Sequence, residues 1–325
     1  MKRSACLIFN PVAGQSDADQ DLAQIRSILE PEIDLDIQLT TPEIDASELA
    51  DQAIARGAST IIASGGDGTL SATAGALIGK DIPLGIISRG TANAFATALG
   101  LPDTIEAACQ TILGGATRVV DAAYCNGLPM VLLAGIGFEA ETVEKADRES
   151  KSRLGMLAYI LGGIQLLGEM PKFEVEIETE DKVVKVTAAA VTIANAAPPT
   201  SILAQGPAGI IVDDGLLDVT VVAPLNITGA IAASYHLLRT ALAGSAVERD
   251  DIGYLRASRL QVRTDPPQKV VLDGEIIGTT PVDIECVPGG LTLLVPKVEQ
   301  EPVVAEKLEG LPNLTVEAKP TEGFE

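Results

Sequence analysis

Ser64-Gly65-Gly66-Asp67-Gly68-Thr69 follows the apolar run Thr60 to Ala63 and precedes a helical pattern that starts at Leu70. A short buried strand, a glycine turn and a helix form the repeating unit of an α/β domain. Glycines let the backbone approach a ligand closely, and the free amides at a helix start favour negative charge. Phosphate suits such a turn. Asp67 narrows the reading, because a carboxylate beside phosphate oxygens is repelled unless a divalent cation lies between them. Glycine, aspartate and helix start together point to Mg²⁺ and a polyphosphate. A strand-to-helix turn that needs only flexible residues has the same composition, so neighbouring loops must decide.

Outward from that turn the alternation continues. Strands are expected over Ala5 to Asn10, Ile33 to Thr40, Thr60 to Ala63 and Pro83 to Ile87. Helices are expected near Asp17 to Glu30, Ile44 to Arg56, Leu70 to Ile78 and Ala92 to Gly100. This predicts a doubly wound parallel sheet over residues 1–122. Beyond Arg118 the pattern becomes β-rich: Thr117 to Tyr124, Met130 to Ala134, Phe173 to Glu180, Val183 to Asn195, Leu217 to Val222, Arg259 to Arg263 and Leu291 to Val295. Helices interrupt it only at Glu139 to Gly168 and Ile227 to Ala243. A mainly antiparallel β-sandwich is expected over 123–296. The tail, 297–325, carries seven acidic and three basic residues without periodicity and reads as disordered.

Three further segments sit at expected strand ends, where open α/β sheets place ligands. Asn10-Pro11-Val12-Ala13-Gly14 offers an amide to phosphate or ribose and a glycine that lets the chain curve; it also suits a plain turn. In Ser88-Arg89-Gly90-Thr91-Ala92-Asn93, Thr91 and Asn93 can cap the next helix or donate to phosphate. Arg89 can pair with phosphate or simply be solvated. Val270 to Ile277 reads as a hairpin around Asp273-Gly274, with Glu275 placed to serve as a general base. His236, the one histidine, lies on an apolar helical stretch and reads as packing, which leaves Ser-His-Asp chemistry and histidine metal sites without support.

The balance of 23 Lys and Arg against 45 Asp and Glu gives a net charge of −22. That charge argues against sequence-independent nucleic-acid binding and against a polybasic membrane anchor. Cys6, Cys109, Cys125 and Cys286 show no metal-ligand spacing and read as reduced thiols in a cytoplasmic protein. The most apolar helical window, Leu154 to Gly168, is 15 residues, below spanning length.

Taken together, these motifs resemble the diacylglycerol kinase catalytic-domain family, in its soluble bacterial lipid kinase branch. The resemblance covers Ala5 to Pro296. It rests on Asn10-Pro11 with Gly14, Gly65-Gly66-Asp67-Gly68-Thr69, Gly90-Thr91-Ala92-Asn93 followed by Phe95, Gly135-Ile136-Gly137-Phe138, Asp213-Asp214-Gly215-Leu216-Leu217-Asp218, and Asp273-Gly274-Glu275. The Gly-Gly-Asp-Gly-Thr element alone is shared with NAD kinases and phosphofructokinases; the ordered set is more specific. The resemblance implies ATP held between an α/β domain and a β-sandwich, with Asn10 to Gly14, Gly65 to Ser71, Thr91 and also Thr41 at the nucleotide. It implies Glu275 as proton acceptor, and a second Mg²⁺ held by Asp214 with the Ile211 and Leu216 carbonyls. It also leaves room for a homodimer. Ala94, Thr97 and Ser88-Arg89 depart from the family pattern.

The expected activity is ATP-dependent phosphorylation of a lipid hydroxyl, with Asp67 engaging the metal and Glu275 taking the proton. The apolar stretch Leu154 to Leu167 can line a lipid cleft or pack in a core. Lys151, Arg153 and Lys172 flank it with a local charge of 3 − 1 = +2 once Glu169 is counted, which suits transient peripheral contact with anionic headgroups. One rival is a soluble NAD kinase-like nucleotide kinase, although no Asn-Glu pair follows the glycine loop. A second is a noncatalytic lipid or nucleotide sensor on the same fold.

Overall fold

The computed structural model describes residues 3–137, 172–198, 201, 204, 210–223 and 252–297. Its first part follows the expected alternation: β1 (Arg3–Phe9), α1 (Ala18–Leu29), β2 (Ile33–Leu39), α2 (Ala46–Ala55), β3 (Ile61–Gly65), α3 (Asp67–Leu77) and β4 (Leu84–Ser88). Two shorter helices follow, α4 (Ala94–Ala98) and α5 (Ile105–Gly114). The four strands pair in parallel in the order β2-β1-β3-β4. Period-two alternation divides their side chains between two layers. Cys6, Ile8, Ile61, Ala63, Leu84 and Ile86 pack toward α2 and α3. Leu7, Phe9, Ile62 and Ile87 pack toward α1 and α5. The strand order reverses between β1 and β3, and open α/β sheets bind ligands outside the carboxyl ends of their strands at such a point.

The β-rich remainder comprises β5 (Thr117–Cys125), β6 (Leu128–Met130), β7 (Leu133–Gly137), β8 (Phe173–Thr179), β9 (Val183–Ala188), β10 (Ala190–Ala194), β11 (Leu217–Val222), β12 (Ile252–Ala257), β13 (Arg259–Asp265), β14 (Lys269–Leu272), β15 (Glu275–Thr279) and β16 (Val282–Leu294). One sheet continues from β4 through β16, β13, β8 and β9, with β5 and β6 paired to its side. The other runs β12-β11-β10-β7-β14-β15. Their inner faces meet in one core that includes Val175, Ile177, Val262 and Ile284 from the first sheet and Ile136, Val191, Val219 and Val270 from the second. This is the expected sandwich.

Several boundaries differ from expectation, each for a visible reason. Val183 to Asn195 is two strands in different sheets, because the chain crosses between layers at Ala189, whose amide donates to the Val222 carbonyl at 2.9 Å. Met130 to Ala134 breaks at Val131-Leu132, whose amides turn to a side chain described below. β16 begins at Val282 rather than Leu291, and its register shifts between Val287 and Leu291 within one long strand. That strand pairs with β13 at its start and lies parallel to β4 through Leu293 and Leu84 at its end, so it ties the sandwich to the parallel sheet. α5 and β12 are not foreseen, although Thr104 caps α5 and Gly115, at φ 66°, closes it. The expected helices Glu139 to Gly168 and Ile227 to Ala243, with Phe138, Lys151, Arg153, His236 and the acidic tail, lie outside the described residues. Among the described residues no helix is long and apolar enough to cross a membrane.

Candidate active site

The carboxyl ends of β1, β3 and β4 bring the three expected loops into contact. The Asn10 amide donates to the Ser64 carbonyl at 2.9 Å, and its side-chain Nδ2 donates to Thr69 Oγ1 at 2.9 Å. Thr69 is therefore turned inward, over the space a side chain at Gly65 would need. Gly14, at φ 87°, passes so close to β4 that a Cβ there would lie 2.4 Å from the Arg89 carbonyl oxygen. A Cβ on Gly90 would lie 2.9 Å from the Gly66 Cα. Glycine at 14 and 90 is what allows the loops to touch. Pro11 is half-buried in the first of them, whereas Thr91 is exposed on the third.

α3 begins at Asp67, three residues earlier than expected, so the glycine turn belongs to its first turn. Its N-cap, Gly66, supplies no side-chain acceptor, and Gly68 is exposed with open space around it. The first-turn amides therefore remain available to an anion. Asp67 Oδ1 accepts from the Phe95 amide at 3.2 Å. It thereby caps α4, one of the two roles open to Thr91 and Asn93 from the sequence. Asn93 instead takes φ 49° and makes no capping bond. Burial raises the Asp67 carboxyl above the ordinary aspartate range, and the amides of Phe95, Ala94 and Asn93 act in the opposite sense.

Arg89 is neither at the surface nor facing an open anion site. Its Nε donates to Asp21 Oδ2 at 2.7 Å and its Nη1 to the Asn10 carbonyl at 2.9 Å. Its guanidinium lies 4.2 Å from the centre of the Phe9 ring. Thr41 stands beyond the end of β2, on the same edge of the sheet, where its Oγ1 accepts from the Glu43 and Ile44 amides. That hydroxyl is exposed but already shapes its own turn.

From the sandwich, the β14–β15 hairpin brings Asp273 within electrostatic range of Asp67. Asp273 at φ 48° and Gly274 at φ 95° form its two-residue turn. The Asp273 carboxylate accepts from the amides of Val131 at 2.8 Å and of Leu132 and Leu133 at 2.9 Å each. Burial, with a smaller contribution from the nearby Asp67 charge, pushes Asp273 up to about 6 despite those three amides. Glu275 opens β15 with an exposed side chain. Asp273 belongs to the quoted motif, yet its role as the pin of the hairpin has no sequence signal, because its partners lie about 140 residues away.

The Asp213 to Asp218 turn lies on the other side of β5. Asp214 Oδ2 accepts from Arg256 Nη1 at 2.9 Å, and its Oδ1 accepts from the Leu216 amide at 3.2 Å. Arg256 also binds Asp218, at 2.7 and 3.3 Å. Asp214 is thus shared between Arg256 and the Leu216 amide in the turn that also carries Ile211 and Leu216. Asp121, a lone carboxylate in a buried strand, ties this turn to β16 by accepting from Gly215 and Gly289, each at 2.7 Å.

Of the nine buried side-chain polar atoms that lack a partner among the described residues, five lie on the segment from Ser64 to Asn93: Ser64 Oγ, Ser71 Oγ, Ser88 Oγ, Arg89 Nη2 and Asn93 Oδ1. Orphaned polar groups are uncommon in protein interiors. Their concentration around the two glycine loops marks this edge as one built for a polar ligand.

Comparison with known proteins agrees with that geometry. Residues 4–125 match the diacylglycerol kinase catalytic domain, and residues 133–295 match the YegS C-terminal NAD kinase beta sandwich-like domain. The chain is 31% identical over 307 residues to the diacylglycerol kinase of Bacillus subtilis, covering 93% of this chain and 99% of that one. It is 48% identical over 301 residues to an uncharacterized protein of Synechocystis sp., covering 89% of this chain and 70% of that one. A "Probable lipid kinase YegS-like" protein of Xanthomonas oryzae pv. oryzae is 32% identical over 301 residues, covering 89% and 95%. The crystal structure of a diacylglycerol kinase from Bacillus anthracis superposes with a TM-score of 0.70 at 25% identity, covering 91% of this chain and 97% of that one. The phosphate-type loops, the sandwich hairpin near them and these full-length likenesses agree: this chain belongs to the diacylglycerol kinase catalytic-domain family, among its bacterial lipid kinases.

Proposed function

We propose that this kinase transfers the γ-phosphoryl group of ATP to a hydroxyl of a lipid such as diacylglycerol, and so acts in phospholipid metabolism. The observation that carries the proposal is the meeting of three loops around the uncapped start of α3, with the Asp67 and Asp273 carboxylates beside it. Phosphoryl transfer requires the phosphates to be positioned and their charge to be neutralised. The amides of the first turn of α3 take the phosphate oxygens, and Asn10 to Gly14 and Thr91 frame the nucleotide from either side.

The residues fit a divalent cation beside Asp67. Two neighbouring carboxylates, both raised by burial, are relieved by positive charge. Asp67 would hold such a cation from the protein side, with Asp273 nearby. When bound, Mg²⁺ supplies charge neutralisation. Glu275, exposed at the hairpin, takes the proton from the acceptor hydroxyl directly or through water.

Radiolabelled ATP offered with a mixed lipid extract, followed by mass analysis of the product, tests this. Label in a lipid phosphate is expected. Label in NAD with none in lipid overturns it in favour of a nucleotide kinase; ATP binding without transfer to any lipid overturns it in favour of a sensor.

A further inference from the structure

The geometry points to Arg89 and Asp21 as a buried clamp that holds the Asn10–Gly14 loop in its nucleotide-binding shape, with Arg89 acting as a positioning residue. The inference rests on the nucleotide reading above. The Arg89 and Asp21 side chains are 1% and 11% exposed. A guanidinium so enclosed must recover its lost hydration from protein contacts. Arg89 does so in part by reaching two elements at once: Asp21 on α1, and at the end of β1 both the carbonyl of Asn10 and the face of Phe9, with Nη2 left unpartnered. Ser16, at the far end of the same loop, donates to Asp21 Oδ2 at 2.5 Å. The loop is therefore gripped at both ends by one ion pair.

The Arg89 main chain completes the grip. Its amide donates to the Gly65 carbonyl at 2.7 Å, and its carbonyl lies against Gly14. One residue thus sets the spacing of all three loops. The planar fork matters to this: Nε and Nη1 point at two different partners, an arrangement a lysine ammonium cannot reproduce. Asn10 in turn donates to Thr69, so displacement of the clamp is passed to the first turn of α3.

The test separates positioning from stability. Arg89→Met leaves Asp21 buried without its cation, so stability falls together with loop order. The double variant Arg89→Met/Asp21→Asn removes the orphaned charge, and its thermal midpoint is expected to recover most of the loss. Its dissociation constant for ATP·Mg²⁺ in isothermal titration should nevertheless stay about 10-fold above wild type, since the link to Asn10 is still missing. Arg89→Lys should retain stability better than Arg89→Met and show a similarly weakened affinity. Without nucleotide, amide hydrogen exchange over residues 10–14 should be about 10-fold faster in the double variant, as expected of local opening.

Unchanged exchange in that loop, or recovery of ATP affinity in step with stability, overturns the clamp. Failure of wild type to bind ATP overturns the nucleotide reading instead, while the exchange measurement still judges whether the ion pair orders the loop.

Discussion

Asp67-Gly68 opens α3, and Asp273-Gly274 closes the β14–β15 hairpin; in both, the aspartate accepts backbone amides from a distant segment. The two differ in what remains free. Asp67 accepts from the Phe95 amide through Oδ1 and stands half-buried at an uncapped helix start, beside exposed Gly68. Asp273 engages both oxygens with three amides and holds β14 against the β6–β7 junction. One carboxylate is left available to a ligand. The other pins the hairpin to the strand beside it within the sandwich. The same dipeptide therefore opens a helix in one place and pins a hairpin in the other, and the partners decide which.

That contrast is best broken at Asp67. Asp67→Ala should lower kcat by at least about 10²-fold, the scale of lost charge stabilisation at a transferring group. Turnover near wild type would remove Asp67 from its proposed place. On the hairpin side, Glu275→Ala should also lower kcat by at least about 10²-fold, with little change in the thermal midpoint, because the side chain is exposed.

Asp273→Ala should instead register in stability. It leaves three amides without their acceptor, and urea unfolding should show a loss of about 3 kcal/mol. The pH dependence sharpens this point. Asp273 binds its proton more tightly in the folded protein, at about 6 against an ordinary value of 3.8. Its contribution is fully present below pH ~4 and is lost as pH rises through ~6, a change on the order of 3 kcal/mol. Subtracting the pH profile of Asp273→Asn from that of wild type should isolate the fall; a flat difference across that window would show that this carboxyl is not perturbed as its surroundings require.

The smallest effect belongs to the third Asp-Gly pair. Asp214 shares a partly exposed arginine with Asp218, so Asp214→Ala should cost about 1 kcal/mol or less in Mg²⁺-free buffer. A larger loss that appears only with Mg²⁺ present would show that a cation displaces Arg256 from this turn.

Local sequence carries the parallel half almost entirely. Short apolar runs, glycine turns and amphipathic helices occupy the positions expected of β1 through α3, because each of those elements is decided by period and turn chemistry within about ten residues. The β-rich half is less legible. Val183 to Asn195 is apolar enough to read as one strand, and nothing local marks Ala189 as a crossing between sheets. Leu291 to Val295 covers only the end of β16, whose register against β5 shifts between Val287 and Leu291.

The same division applies to the site. The amino-acid sequence alone determined which loops gather at the candidate site, since glycines at strand ends and a carboxylate at a helix start are short-range features. Tertiary structure decided the partners. Only packing could bury Arg89 on Asp21, turn Thr69 inward, give the cap of α4 to Asp67 rather than Asn93, and anchor Asp273 on three amides of Val131 to Leu133. Those choices depend on which donors and acceptors are left unsatisfied when distant segments meet. A buried polar group must find its partner wherever the fold supplies one.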